Sequence, residues 1–416
     1  MSLRVASAAV VLALAGAACG SDDPDTSSET EETSPSATPV ASATGASTLR
    51  AGLTGLLTEH VYLAALATGA ALRGDTKGFE AFAAALNGPT SSNTADLVSA
   101  IGSAYGPDVE TAFDGLWRSE GHIPAVVAYT QAVATDNKAG ADKAVADLLA
   151  YAKTFGTTLN SVNENLPAAA VEEGVKMHIT TLKAVIDAQK AGNQPAVYSS
   201  LREAYGHMAE FAGTLAGATV AEFPDDFDGE ADAPGAALRA GLTSLLREHV
   251  LLASSATGAA LGGRMPQFEA AAAALNGTSD SNTFDIVAAI TSVYGADVGQ
   301  AFDGLWRSEG HIPAVVAYTQ AVATNNKAGA DKAVADLLAY AKTFGTTLNS
   351  VNENLPAAAV EDAIKMHVTT LKDVIDAQKA GDATKAASAL RTAVGHMSDT
   401  AAVLADATVK KFPAKF

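Results

Sequence analysis

Eight histidines are the residues best equipped for chemistry in this 416-residue sequence, and they form two matched sets of four. His60, His122, His178 and His207 recur 189 positions later as His249, His311, His367 and His396, and the sequence holds no other histidine. Neutral imidazole is a good ligand for copper, iron, zinc and nickel. A buried ring nitrogen without a partner costs roughly 1–3 kcal/mol, and one metal ion satisfies several at once. Neighbouring residues extend the set. Met177 and Met208 adjoin His178 and His207, and Met366 and Met397 adjoin their repeats. Thioether sulfur favours Cu(I), although adjacent helix positions point about 100° apart, which suits the same methionines to core filling. Glu59 and Glu248 directly precede His60 and His249, while Glu210 and Asp399 lie three residues after His207 and His396. Such carboxylates can accept imidazole N–H bonds from outside a ligand set. A metal-free reading stands beside this one, with each ring bonded in the core to a carbonyl, a tyrosine or a glutamate.

Helices must position these rings. Helix-forming Ala and Leu are abundant, and apolar residues recur at spacings of three and four. The pattern predicts helices over 49–73, 109–135, 138–162, 167–191 and 195–223, with two short ones within 79–105 broken at Asn87-Gly88-Pro89. His60 follows Leu56 and Leu57 on the apolar stripe, and His178 sits between Val175 and Leu182 at helical spacing. His122 shares a face with Val126, Tyr129 and Val133, whereas His207, four before Phe211, lies at a stripe margin. Each histidine falls near the midpoint of its helix. Antiparallel helices of similar length place their midpoints at one level, so the expectation is a layer of four imidazoles in each copy. Pro124 and Pro313 either kink a continuous helix beside His122 and His311, freeing the carbonyl of Glu120, or mark a new helix after Gly121. Asp114 and Arg118 are spaced for an ion pair on one face.

The matched histidines belong to a duplication. Leu49-Arg50-Ala51-Gly52-Leu53 recurs as Leu238-Arg239-Ala240-Gly241-Leu242, and residues 112–171 recur as 301–360 with one change, Asp136 to Asn325. Each copy is the size of an ordinary domain. The expected organisation is all-α, two tandem up-and-down helical bundles spanning 49–224 and 238–416, joined by an acidic Gly- and Pro-containing linker at 225–237.

The segment before the first copy reads as targeting. Arg4 precedes an apolar run from Val5 to Ala15, too short to span a bilayer and the length of a signal-peptide core. Residues 1–18 are expected to be removed. Cys19, the sole cysteine, then heads a disordered tether over 19–48, rich in Ser, Thr, Pro and acidic residues. With one cysteine, no disulfide forms within the chain. The net charge of −19 argues against nucleic acid, which needs clustered Lys and Arg. No Gly-rich phosphate loop, Gly-x-Ser-x-Gly elbow or His-Glu-x-x-His motif occurs.

Gly16-Ala17-Ala18-Cys19 resembles the lipobox of bacterial lipoproteins. That resemblance implies lipidation of Cys19, an extracytoplasmic location and a membrane partner reached through the lipid; a secretory signal with an incidental cysteine is the alternative. Glu59-His60-Val61, Phe113 to Arg118 and His207-Met208 are similar to a group of exported helical proteins of Gram-positive bacteria, some labelled copper amine oxidase. The label implies copper. The oxidase itself is β-rich and needs an Asn-Tyr that matures into a quinone, and no Asn-Tyr occurs here. The histidine layer also resembles hemerythrin-like bundles but lacks their His-x-x-x-His pair. The expectation is therefore a lipid-anchored protein that binds copper first and iron second for storage or delivery rather than turnover. Haem between two facing histidines, a redox enzyme, and a metal-free module that engages a protein partner are the competing readings.

Overall fold

Apolar faces spaced at three and four residues fold the described part of this chain into helices. The computed structural model describes residues 40–119, 122–308 and 311–416, with no strand among them. The expected leader, Cys19, the first part of the tether and Glu120 lie outside the described residues. In the first copy the helices are α1 (Gly45–Leu72), α2 (Thr76–Asn87), α3 (Asn93–Tyr105), α4 (Pro107–Arg118), α5 (His122–Ala134), α6 (Lys138–Val162), α7 (Ala168–Ala191) and α8 (Gln194–Glu222). The second copy repeats them as α9 (Pro234–Leu261), α10 (Met265–Asn276), α11 (Asn282–Tyr294), α12 (Ala296–Arg307), α13 (His311–Ala323), α14 (Lys327–Val351), α15 (Ala357–Ala380) and α16 (Ala383–Lys411).

Within a copy, α5 packs on α6, α6 on α7, α7 on α8 and α8 on α1. Short connections make the consecutive helices α5 to α8 run antiparallel, the up-and-down arrangement expected. Local chemistry sets the ends. Asn137 caps α6 by accepting from the Gly140 amide, and Gly192 closes α7 in the left-handed conformation, at φ +69°. Gly106, at φ +90°, turns the chain between α3 and α4 in a single residue, a conformation that a side chain would strain.

Two element boundaries depart from expectation. The stretch 109–135 is two helices, because α4 stops at Arg118 and α5 starts at His122. Pro124 therefore lies in the first turn of α5, where a proline needs no amide partner, and among the described residues the stretch is two helices and not one kinked helix. Arg118 fixes the end of α4: its Nε donates to Asp114 at 2.6 Å, and its Nη1 donates to the carbonyls of Asn87 and Gly88, each at 2.8 Å. At the other boundary, α1 begins at Gly45, inside the expected disordered tether, because the Thr44 hydroxyl accepts from the Ser47 amide. Ser42 also donates to Asp406 at 2.6 Å, so the end of the tether is tied to the second copy.

Residues 40–416 form one compact unit, with a hydrophobic core that draws on both copies. Helix α1 packs on α9, while α2 meets α16 and α10 meets α8, a reciprocal pattern. Arg391 on α16 donates to Glu59 on α1 at 2.8 Å and to Asp96; Arg202 on α8 donates to Glu248 on α9 at 3.0 Å and to Asp285. These two sets occupy matching positions of the duplication, as in an isologous dimer whose subunits have been joined. The joining segment is docked too, since Arg50 donates to the Ala231 carbonyl at 2.8 Å. Among the described residues one helix, α1, is long and apolar enough to cross a membrane, and 78% of its most apolar stretch is buried within the protein.

Candidate metal centre

Three helices of each copy bring one histidine apiece to a common point. In the first copy, His60 comes from the middle of α1, His178 from the middle of α7, and His122 from the first residue of α5. The break after Arg118 aims α5 so that its N-terminus enters the interior. Ring centroids lie 5.3 Å apart for His60–His122, 5.6 Å for His60–His178 and 5.8 Å for His122–His178. One ligand atom from each of the three lies within 4.8 Å of the others. The second copy repeats the group with His249, His311 and His367, at 5.3, 5.8 and 5.9 Å.

Burial sets the electrostatics. His60, His122 and His178 are 1%, 4% and 5% exposed. Loss of water pushes His122 down to about 4. Burial, then the nearby His122 and His207, pushes His178 down to about 3. His60 is held well below its usual value by burial and then by the other two rings, against a weaker opposing pull from Asn93. The second copy behaves alike, with His311 at about 4, His367 at about 3 and His249 well below the ordinary range. All six rings are neutral near pH 7, the form that ligates metal. Hydrogen bonding leaves lone pairs or N–H groups over: Nδ1 of each of the six has no hydrogen-bond partner among the described residues, nor has Nε2 of His178.

Aromatic rings wall the group. Trp117 packs 5.1 Å from His60 and 4.8 Å from His122, and Tyr151 lies 5.2 Å from His122. A cavity of about 270 Å³ between α1, α2 and α5 reaches His60 and His122, past Thr68, Leu86 and Gln131. The centre is thus buried but approachable.

The remaining expected residues go elsewhere. His207 and His396 are not in the groups; the Nε2 atoms hydrogen-bond the carbonyls of Gly174 and Ala363 at 2.8 and 2.9 Å. A four-ring layer is therefore a three-ring cluster, because a stripe-margin residue on α8 points to the backbone of α7. Glu59 and Glu248 face the seam between copies and bind arginines instead of imidazoles. Glu210 and Asp399 are exposed. Met177 and Met366, 49% and 52% exposed, face solvent. Met208 and Met397 are buried and line cavities that also touch the triads. Sequence reasoning missed Asn93, fully buried beside His60 with its amide donating to the Leu56 carbonyl at 2.8 Å. Ser92-Asn93-Thr94 stands unchanged as Ser281-Asn282-Thr283 in a stretch where the copies have drifted, and that was the available signal.

The arrangement offers three neutral nitrogen donors converging from rigid helices inside a low-dielectric wall. Comparison with known proteins finds no matching family model, no matching curated protein and no matching solved structure.

Proposed function

We propose that this chain is a copper-binding protein that carries one ion per copy, held by His60, His122 and His178 and by His249, His311 and His367. One observation carries the reading: three buried imidazoles from separate helices, kept neutral, with ligand atoms within 4.8 Å of one another, twice in one chain. Leaving those nitrogens unpartnered is costly, and an ion removes the cost. Copper is favoured over iron because the group contains no carboxylate, whereas open non-haem iron sites pair two histidines with one. Met208 and Met397 add soft sulfur nearby. Haem fits poorly, since the third ring occupies the space that a macrocycle between two opposed imidazoles would need.

The role is storage or delivery of the ion outside the cytoplasmic membrane, with the chain anchored by a lipid on Cys19. The short apolar run ending before that cysteine and the polar tether behind it support the placement. The test is metal content: residues 40–416, loaded with Cu(I) or Cu(II) and dialysed, should retain about two copper ions per chain by mass spectrometry. Retention of none under either oxidation state would leave the metal-free interaction module.

A further inference from the structure

The two copies share their metal-capable triads but not the space beside them. In the second copy, a cavity of about 410 Å³ runs from His249, His311 and His367 out toward Asp297, Asp399 and Val403. The position-matched cavity of the first copy holds only about 60 Å³. Its walls are nearly the same: Trp117, Tyr151 and Phe155 of one correspond to Trp306, Tyr340 and Phe344 of the other.

The largest change in the walls is Phe211, which becomes Thr400. Phe211 is 9% exposed and packs its ring over Gly174, so closely that a Cβ at position 174 would sit 2.6 Å from the ring. At the matching place the second copy has Ala363, whose methyl group occupies the position a ring would need. The two substitutions are complementary. Gly174 admits a ring that fills the first cavity, and Ala363 with Thr400 keeps the second one open.

We propose that the second copy is a binding site for a neutral, largely hydrocarbon small molecule, and that the first copy is closed to it by Phe211. The volume lies in the range of small-molecule pockets, about 300–1,000 Å³. The lining residues Leu246, Ile290, Phe302, Ile364 and Leu404 offer an apolar ligand extensive dispersion contacts. The carboxylates of Asp297 and Asp399 at the exposed end repel an anionic head group, which sets a fatty acid aside. This inference stands on the cavity and not on the copper reading.

N-phenyl-1-naphthylamine, a neutral probe that fluoresces in apolar surroundings, tests it on residues 40–416, with and without a chelator so that loss of copper and loss of the cavity are told apart. The expected result is one saturable site per chain under both conditions. Thr400→Phe alone would strike Ala363, so the informative variant is Ala363→Gly with Thr400→Phe, which installs the first copy's own packing; binding should weaken at least about tenfold while the helical circular dichroism is kept. The converse pair, Gly174→Ala with Phe211→Thr, should raise the stoichiometry to two. Absence of saturable binding by the parent chain, or binding untouched by the filled variant, overturns the proposal.

Discussion

Imidazole protonation governs this protein at the residue scale. A histidine in an unfolded chain titrates near 6.5, while burial lowers His122 to about 4 and His178 to about 3. Between those values the unfolded chain binds protons that the folded one refuses. The stability contributed by neutral rings is therefore complete above about pH 6.5 and is lost as the pH falls toward 4. For His122 alone the loss is on the order of 3 kcal/mol, and urea midpoints of metal-free protein between pH 7 and 4 should show it; a flat profile contradicts the burial argument. Ligation is separable from burial by substitution. His178→Ala should reduce bound copper from about two ions per chain to about one, and His207→Ala should leave two, because the His207 ring is committed to the Gly174 carbonyl. Equal loss from both variants would restore the four-ring layer.

At the element scale, the interruption between α4 and α5 decides the site. His122 reaches the interior as the first residue of α5, not from the middle of a long helix. The expectation that placed it near a midpoint arrived at the right interior level on a mistaken helix. Its apolar partners Val126, Tyr129 and Val133 share one face whether the helix begins at 109 or at 122, so burial of the ring was legible, while the break was only one of two readings that Pro124 allowed. Pro124→Ala, with Pro313→Ala, distinguishes the two geometries. In a first turn the exchange should change stability by less than about 1 kcal/mol, whereas relief of a mid-helix proline would stabilise by about 3 kcal/mol. Thermal melts of the parent and double variant read the difference. Midpoint reasoning succeeded for His60 and His178 and failed for His207, which is central on α8 but lies off its buried stripe. Axial level and azimuth must both be right, and the margin position beside Phe211 was the warning.

The whole molecule is two copies fastened across a reciprocal seam. Glu59 is 3% exposed and accepts from both Arg247 and Arg391, whereas Glu248, 4% exposed, has one arginine, Arg202, and the amide of Asn282. Burial already pushes the Glu248 carboxyl up, against the pull of Arg202. Arg202 is the only cation paired with Glu248 among the described residues, and removing such a partner from a buried carboxylate costs about 3–5 kcal/mol. Arg202→Ala should therefore destabilise the chain by that order, and Arg391→Ala by distinctly less, since Arg247 stays 2.9 Å from Glu59. Denaturant titration of the two variants measures the ranking, and equal losses would mean that the seam is solvated.

The amino-acid pattern by itself determined the helical class, the duplication, and the inward faces that carry His60, His122 and His178, because a 3.6-residue period reports which side of a helix avoids water. It also supplied the spacing that joins Asp114 to Arg118, a contact made within one turn. Tertiary structure decided the rest. Which three of four rings converge depends on how helices far apart in the chain are rotated against one another, and no local period encodes that rotation. Glu59 beside His60 looked like its hydrogen-bond partner, yet docking of the copies supplied arginines from α9 and α16 that bind it more strongly than an imidazole N–H. The open space by the second triad likewise follows from Thr400 and Ala363 meeting across two packed helices, a relation between residues that only the folded chain makes neighbours.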